Sequence, residues 1–179
     1  MPRTRPELNR EYKIIEILEV AERRLQEGGF EALSMAGIAR DLGLAQNAIY
    51  WYFPSRAELF VAVLRRILEG IAARKPRGKV DVVERILWWT DQFAPLYAFH
   101  SAMQEQARES PVVADFARQL DEVLDRMLAN AFRGRVSEGQ LPLAVDSFRV
   151  TVTGAYAQGL SRQRRRKLLS FVLERLLGA

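Results

Sequence analysis

Residues Gly29 to Phe60, GFEALSMAGIARDLGLAQNAIYWYFPSRAELF, constrain this chain more than any other stretch. Ser34 is placed to cap a short helix, since its side chain can accept from an amide of the first turn. Ile38, Ala39 and Leu42 give that helix an apolar face at helical spacing, and Gly43 follows where a helix ends in a left-handed residue. Beyond the turn, Leu44, Ala48, Ile49 and Tyr52 fall on one face of a second helix, which leaves Gln46, Asn47, Tyr50 and Trp51 facing outward. A small residue at Ala39, a glycine four residues on and an apolar residue six after that suit two helices crossing steeply. The pattern is a helix-turn-helix over about residues 34–53, and its outward residues are types that read base edges or hold phosphates.

The rest of the chain reads as helices too. Leu8, Tyr12, Ile15, Leu18, Ala21 and Leu25 recur in steps of three or four until Gly28-Gly29. Pro54 is expected in the first turn of a longer helix whose apolar stripe runs from Leu59 to Ile71. Pro76 and Gly78 mark a boundary, dividing the chain into residues 8–75 and 76–179. Further helices are expected over Val80 to Phe93, Leu96 to Arg108, Pro111 to Ala131, Pro142 to Gln158 and Arg162 to Leu177, with Pro95 as a break or kink. No strand alternation stands out, so the fold class is all-α.

Bulk properties exclude much. The chain has 179 residues, no cysteine and one histidine, which rules out disulfides, thiolate chemistry and a multi-histidine metal site within one chain; no metal and no cofactor are expected. No pair of acids has a spacing that defends a catalytic geometry, and no glycine loop precedes a Lys-Ser or Lys-Thr pair, so an enzyme is not expected. No run approaches the ~18 apolar residues of a membrane helix, and Met1 to Arg10 lacks a secretory segment; the expectation is a cytoplasmic protein with no membrane partner. The net charge of +5 says little about nucleic acid by itself. Eight Lys or Arg up to Arg56 are balanced by eight acids, so any phosphate-binding face depends on segregation of charge. The motif, not the charge, carries the inference.

Glu11 to Phe60 resembles the TetR family of bacterial transcriptional regulators. The resemblance is carried by Gly29-Phe30, Ser34-Met35, Ile38-Ala39-Arg40, Leu42-Gly43-Leu44, Ile49-Tyr50, Tyr52-Phe53, and Arg56 with Leu59. It implies a homodimer that binds a near-palindromic double-stranded DNA operator, most simply as a repressor released by a small-molecule effector. The implied DNA-binding residues are Gln46, Asn47 and Trp51 toward bases or sugars, Tyr50 and Tyr52 near the backbone, and Ser34 and Arg56 on phosphates. Two positions depart from the family: Ala45 stands where a capping Ser or Thr is common, and Asn47 replaces a commonly small residue.

The resemblance also implies an effector pocket among the helices between about residues 80 and 160. Candidate lining residues are Trp88, Trp89, Phe93, Tyr97, His100, Met103, Phe116 and Met127, all of which equally suit a plain helical core. The last two helices are expected to pair with their mates, with Phe148, Val152, Tyr156, Leu169, Phe171 and Val172 as interface candidates. The basic run Arg162 to Lys167 reads as the first turns of the last helix, with Asp146 or Glu174 as expected acidic partners; a second nucleic-acid contact is the rival reading. The alternative function is a helical protein–protein adaptor that does not bind DNA.

Overall fold

The computed structural model describes residues 5–76 and 78–178, with the side chains of residues 5–8 and 46 outside the description. The regular secondary structure of the described residues is helical, without a strand. In chain order the α-helices are α1 (Arg5–Gly28), α2 (Met35–Asp41), α3 (Arg56–Ala73), α4 (Val82–Gln92), α5 (Ala94–Ala98), α6 (His100–Glu109), α7 (Pro111–Phe132), α8 (Leu141–Ala157) and α9 (Arg162–Leu177). None is long and apolar enough to cross a membrane.

The chain divides into two compact units, one formed by residues up to Gly70 with Phe99–Ala117, the other by Ile71–Ala98 with the residues from Arg118 onward. In the first unit, Ile17, Leu25, Leu33, Ile38, Ile49, Leu59 and Phe60 are fully buried. Phe30 meets Phe60 edge-on with ring centroids 5.0 Å apart, an arrangement that places a positive ring edge on a negative face. Arg66 of α3 reaches Glu19 at 3.0 Å and Glu22 at 3.3 Å, tying α3 to α1. In the second unit, Leu87, Phe132, Val145, Phe148, Leu169 and Leu173 belong to one apolar core.

Helix ends follow the sequence closely, with two departures. Pro54 stands just outside α3; the cap is Ser55, whose Oγ accepts from the Glu58 amide at 3.1 Å. Pro95 marks a break as expected: α4 stops at Gln92, and Pro95 sits in the first turn of α5, where a missing amide leaves no bond unmade. The expected helix from Leu96 to Arg108 is instead α5 and α6, interrupted at the buried Phe99.

The basic run is held from an unexpected direction. Asp91 of α4, whose side chain is only 7% exposed, receives Arg162 and Arg166, each at 3.0 Å, and Glu84 receives Arg166 at 2.8 Å. The partners are therefore α4 acids rather than Asp146 or Glu174. Burial makes the pairing obligatory, since an unpaired interior carboxylate costs several kcal/mol.

Candidate nucleic-acid interface

The motif is built from the cap outward. Ser34 is exposed in extended backbone, and its Oγ accepts from the Gly37 amide at 3.2 Å, satisfying one free donor of α2. Gly43, at φ 63°, ends the helix: the Leu44 amide returns to the Ala39 carbonyl at 2.8 Å and the Gly43 amide to Arg40 at 3.1 Å. Met35, Ile38 and Ala39 are buried, while Leu42 and Leu44 are half-buried.

The second element of the motif is a 3₁₀ helix, Gln46–Trp51, rather than an α-helix. Ala45 occupies its cap and offers no side-chain acceptor, and Pro54 prevents extension much beyond it. Three residues per turn change which side chains share a column: Asn47 stands over Tyr50, and Ile49 over Tyr52. Ile49 is fully buried and Phe53 8% exposed, anchoring the segment from below. Asn47 is exposed, Tyr50 is 48% exposed and Trp51 83%, while Tyr52 is half-buried. The Gln46 side chain lies outside the described residues.

Arg56 is placed differently from the others. Its guanidinium donates to the Phe30 carbonyl, lies 3.3 Å from Glu31 and sits over the Phe30 ring at 3.9 Å, while its buried Nε has no hydrogen-bond partner. Arg56 thus locks the entry to the motif onto the start of α3. Ser34, Asn47, Tyr50 and Trp51 are brought to the surface by one short segment and its neighbour, and two of them are large aromatics with no intramolecular use for their exposure.

Sequence reasoning overlooked Arg24 and Asp41. Arg24 Nε and Nη2 meet Asp41 Oδ2 and Oδ1 at 2.8 and 3.0 Å. Hydrogen bonding within this fork holds the Asp41 carboxyl below the usual carboxylate range and pushes the Arg24 guanidinium up. The usable signal was a glycine, Gly37, inside a seven-residue helix that needs no unusual backbone there.

The expected effector residues fall in both compact units. Trp88, Trp89, Phe93, Tyr97 and Met127 lie in the second unit, whereas His100, Met103 and Phe116 lie in the first. Trp88 meets Trp89 edge-on at 5.0 Å, and Trp89 stacks on Phe93 at 5.5 Å. Tyr97 stacks on Tyr156 at 4.0 Å; Tyr156 donates to the Thr90 carbonyl at 2.6 Å and carries Arg165 over its other reach at 4.2 Å. Burial pushes the Tyr97 phenol up to about 12. An open groove of about 310 Å³ lies elsewhere, between α7 and α8, and is lined by Asp125, Arg126, Ala129, Leu141, Pro142, Val145 and Asp146, none of them an expected effector residue.

The interface candidates divide by burial. Phe148, Val152 and Leu169 are at most 3% exposed because they fill the unit's own core; Tyr156 and Val172 are half-buried. Of the six, Phe171 alone is exposed, at 55%. The exposed large apolar side chains on these helices are Leu143 (67%), Val150 (73%), Phe171 and, marginally, Leu168 (36%).

Residues 17–63 match the family described as bacterial regulatory proteins, tetR family. The chain is 30% identical over 118 residues to the HTH-type transcriptional regulator BetI of Rhizobium meliloti, a match covering 58% of each chain. It spans about three fifths of the length of the curated relatives it matches. Among solved structures, its fold resembles that of a transcriptional regulator from Saccharomonospora viridis in complex with choline, with a TM-score of 0.79, 18% identity and coverage of 92% of this chain and 96% of that one. It also resembles BioQ with its double-stranded DNA operator, with a TM-score of 0.62, 21% identity and coverage of 93% and 98%.

Proposed function

We propose, from the premise that the chain belongs to the TetR family of bacterial regulatory proteins, that it is a ligand-responsive transcriptional repressor binding a near-palindromic operator as a dimer. The observation that carries this reading is the exposure of Asn47, Tyr50 and Trp51 on a segment whose Ile49 and Phe53 are anchored in the core. Asn can pair bidentately with adenine, and aromatic side chains contact thymine methyls or sugars. Ser34 and the amides at the start of α2 suit a phosphate, as helix N-termini generally do. Gln46 and Tyr52 complete the proposed contact set, and Arg56 adds positive charge behind it. Residues 8–75 would carry DNA binding, and residues 76–179 effector binding and dimerisation.

A relative bound to its operator and another bound to choline support the two halves of the reading. The effector would be met by the aromatic residues of the second unit, Trp88, Trp89, Phe93 and Tyr97, and would act by binding one conformer of the dimer better than the other. The dimer surface is assigned to Leu143, Val150 and Phe171, because these are the large apolar side chains that α8 and α9 leave most exposed.

The test is fluorescence anisotropy of the purified protein against DNA flanking its gene and against a scrambled duplex, each titrated with salt. Tight binding to the native duplex alone, weakening as several phosphate contacts require, is expected. Equal, weak binding to both sends the search to a random duplex library. No binding to any duplex, selected or native, overturns the reading in favour of a protein–protein adaptor.

A further inference from the structure

We propose that Arg24, on α1 and outside the proposed base-reading set, is a positioning residue that seats α2 and through it the 46–51 segment, and that Gly37 is the space it requires; the functional part rests on the DNA reading above. Arg24 reaches three points along one short stretch. Its Nη1 donates to the Ala32 carbonyl at 3.5 Å, ahead of α2. Its Nη2 donates to the Gly37 carbonyl at 3.2 Å, in the middle of the helix. Nε and Nη2 grip Asp41 at the helix end, at 2.8 and 3.0 Å.

Arg24 accounts for two features of α2, with Arg23, 3.9 Å from Asp41, adding to the second. Gly37 is buried, sits in an ordinary helical conformation and gains nothing from glycine's backbone freedom. A Cβ there would lie 2.8 Å from Arg24 Nη1 and 3.0 Å from its Cζ, so the missing side chain is room for the guanidinium. Asp41 puts a negative charge at a helix C-terminus, where the helix dipole disfavours it. The planar, forked guanidinium offsets that, and its geometry matches a carboxylate in a way an ammonium does not. A seven-residue helix is far below the length that holds itself together, so its orientation has to come from tertiary contacts such as these. The orientation passes onward through the Leu44–Ala39 hydrogen bond and the buried Ile49.

Arg24→Ala, Arg24→Lys, Gly37→Ala and the double variant Arg24→Ala/Gly37→Ala test this, with operator and scrambled duplexes, far-UV circular dichroism and hydrogen exchange of amides 35–42. Expected are about tenfold weaker operator binding for each single variant, faster exchange in α2, helical content preserved and an unchanged salt slope. Gly37→Ala should cost less than twofold once Arg24 is already alanine, because the clash is gone. Operator affinity within twofold of wild type in Arg24→Ala and Gly37→Ala overturns the proposal, as does an equal effect of Gly37→Ala in both backgrounds. A salt slope reduced by about one also overturns it, since Arg24 would then be a phosphate contact. If Arg24→Ala fails to fold, Arg24→Lys and Gly37→Ala carry the same decision. Wild-type protein that binds neither duplex, nor any selected one, fails the DNA reading itself; unchanged α2 exchange in the variants would then overturn the clamp separately.

Discussion

Trp51 and Gly43 show two ways in which a single residue matters. Trp51 is 83% exposed, so Trp51→Ala should leave thermal stability within about 0.5 kcal/mol of wild type while weakening operator binding at least fivefold, checked by melting and anisotropy together. Gly43→Ala places a side chain at φ 63° with nothing crowding its Cβ, so only backbone strain is added, about 1 kcal/mol, read from a denaturant midpoint. Titration gives a third handle. The Tyr97 phenol, raised to about 12 by burial, should ionise well after an ordinary tyrosine near 10 in an ultraviolet absorbance titration. Because its folded pKa lies above the unfolded one, its contribution to stability is whole below about pH 10 and is lost as pH rises toward 12. The outward set Asn47, Tyr50 and Trp51 was legible in the sequence because apolar neighbours fix the inward side. Arg24 was not, because a guanidinium beside the buried Leu25 has the same spacing as any solvated arginine.

At the scale of elements, caps and stop signals determined most of what could be read. Ser34, Gly43 and Ser161 act where their chemistry predicts; Ser161 Oγ accepts from the Arg164 amide at 3.4 Å at the start of α9. The 46–51 segment is a tighter 3₁₀ helix whose first amides have no side-chain acceptor at Ala45, a weak start visible in the sequence. Ala45→Ser should therefore stabilise the protein by about 1 kcal/mol in thermal melts and tighten operator binding, by supplying that acceptor. The break at Phe99 left no mark in the sequence, since nothing at Tyr97-Ala98-Phe99 disfavours a helix locally. The α4–α9 clasp was also hidden: spacing shows that the basic run begins a helix, but only tertiary packing brings Asp91 and Glu84 to it.

For the whole molecule, positive charge is partly cancelled by ion pairs within the chain, and the proposed dimer surface rests on a few exposed apolar side chains. Replacing Phe171, 55% exposed, by glutamate should shift the protein from dimer to monomer in sedimentation at micromolar concentration. The same variant should lose more than tenfold in affinity for a two-half-site operator, while a half-site duplex should be bound almost as before. Helical class and motif were legible throughout, because periodicity records which side of each helix is inward. Which apolar positions face the chain's own core is decided within two residues, and buried Phe148 against exposed Val150 shows that periodicity does not resolve it.

The chain has three tryptophans, at positions 51, 88 and 89, and the exposure of Trp51 gives the protein an optical reporter of its own docking. An indole almost wholly in water emits at long wavelength and is open to a collisional quencher, whereas the half-buried pair Trp88 and Trp89 are shielded. Acrylamide should therefore extinguish the red side of the emission first in the free protein. Duplex DNA should protect that same component, so that the spectrum registers occupancy of the reading surface without any attached dye.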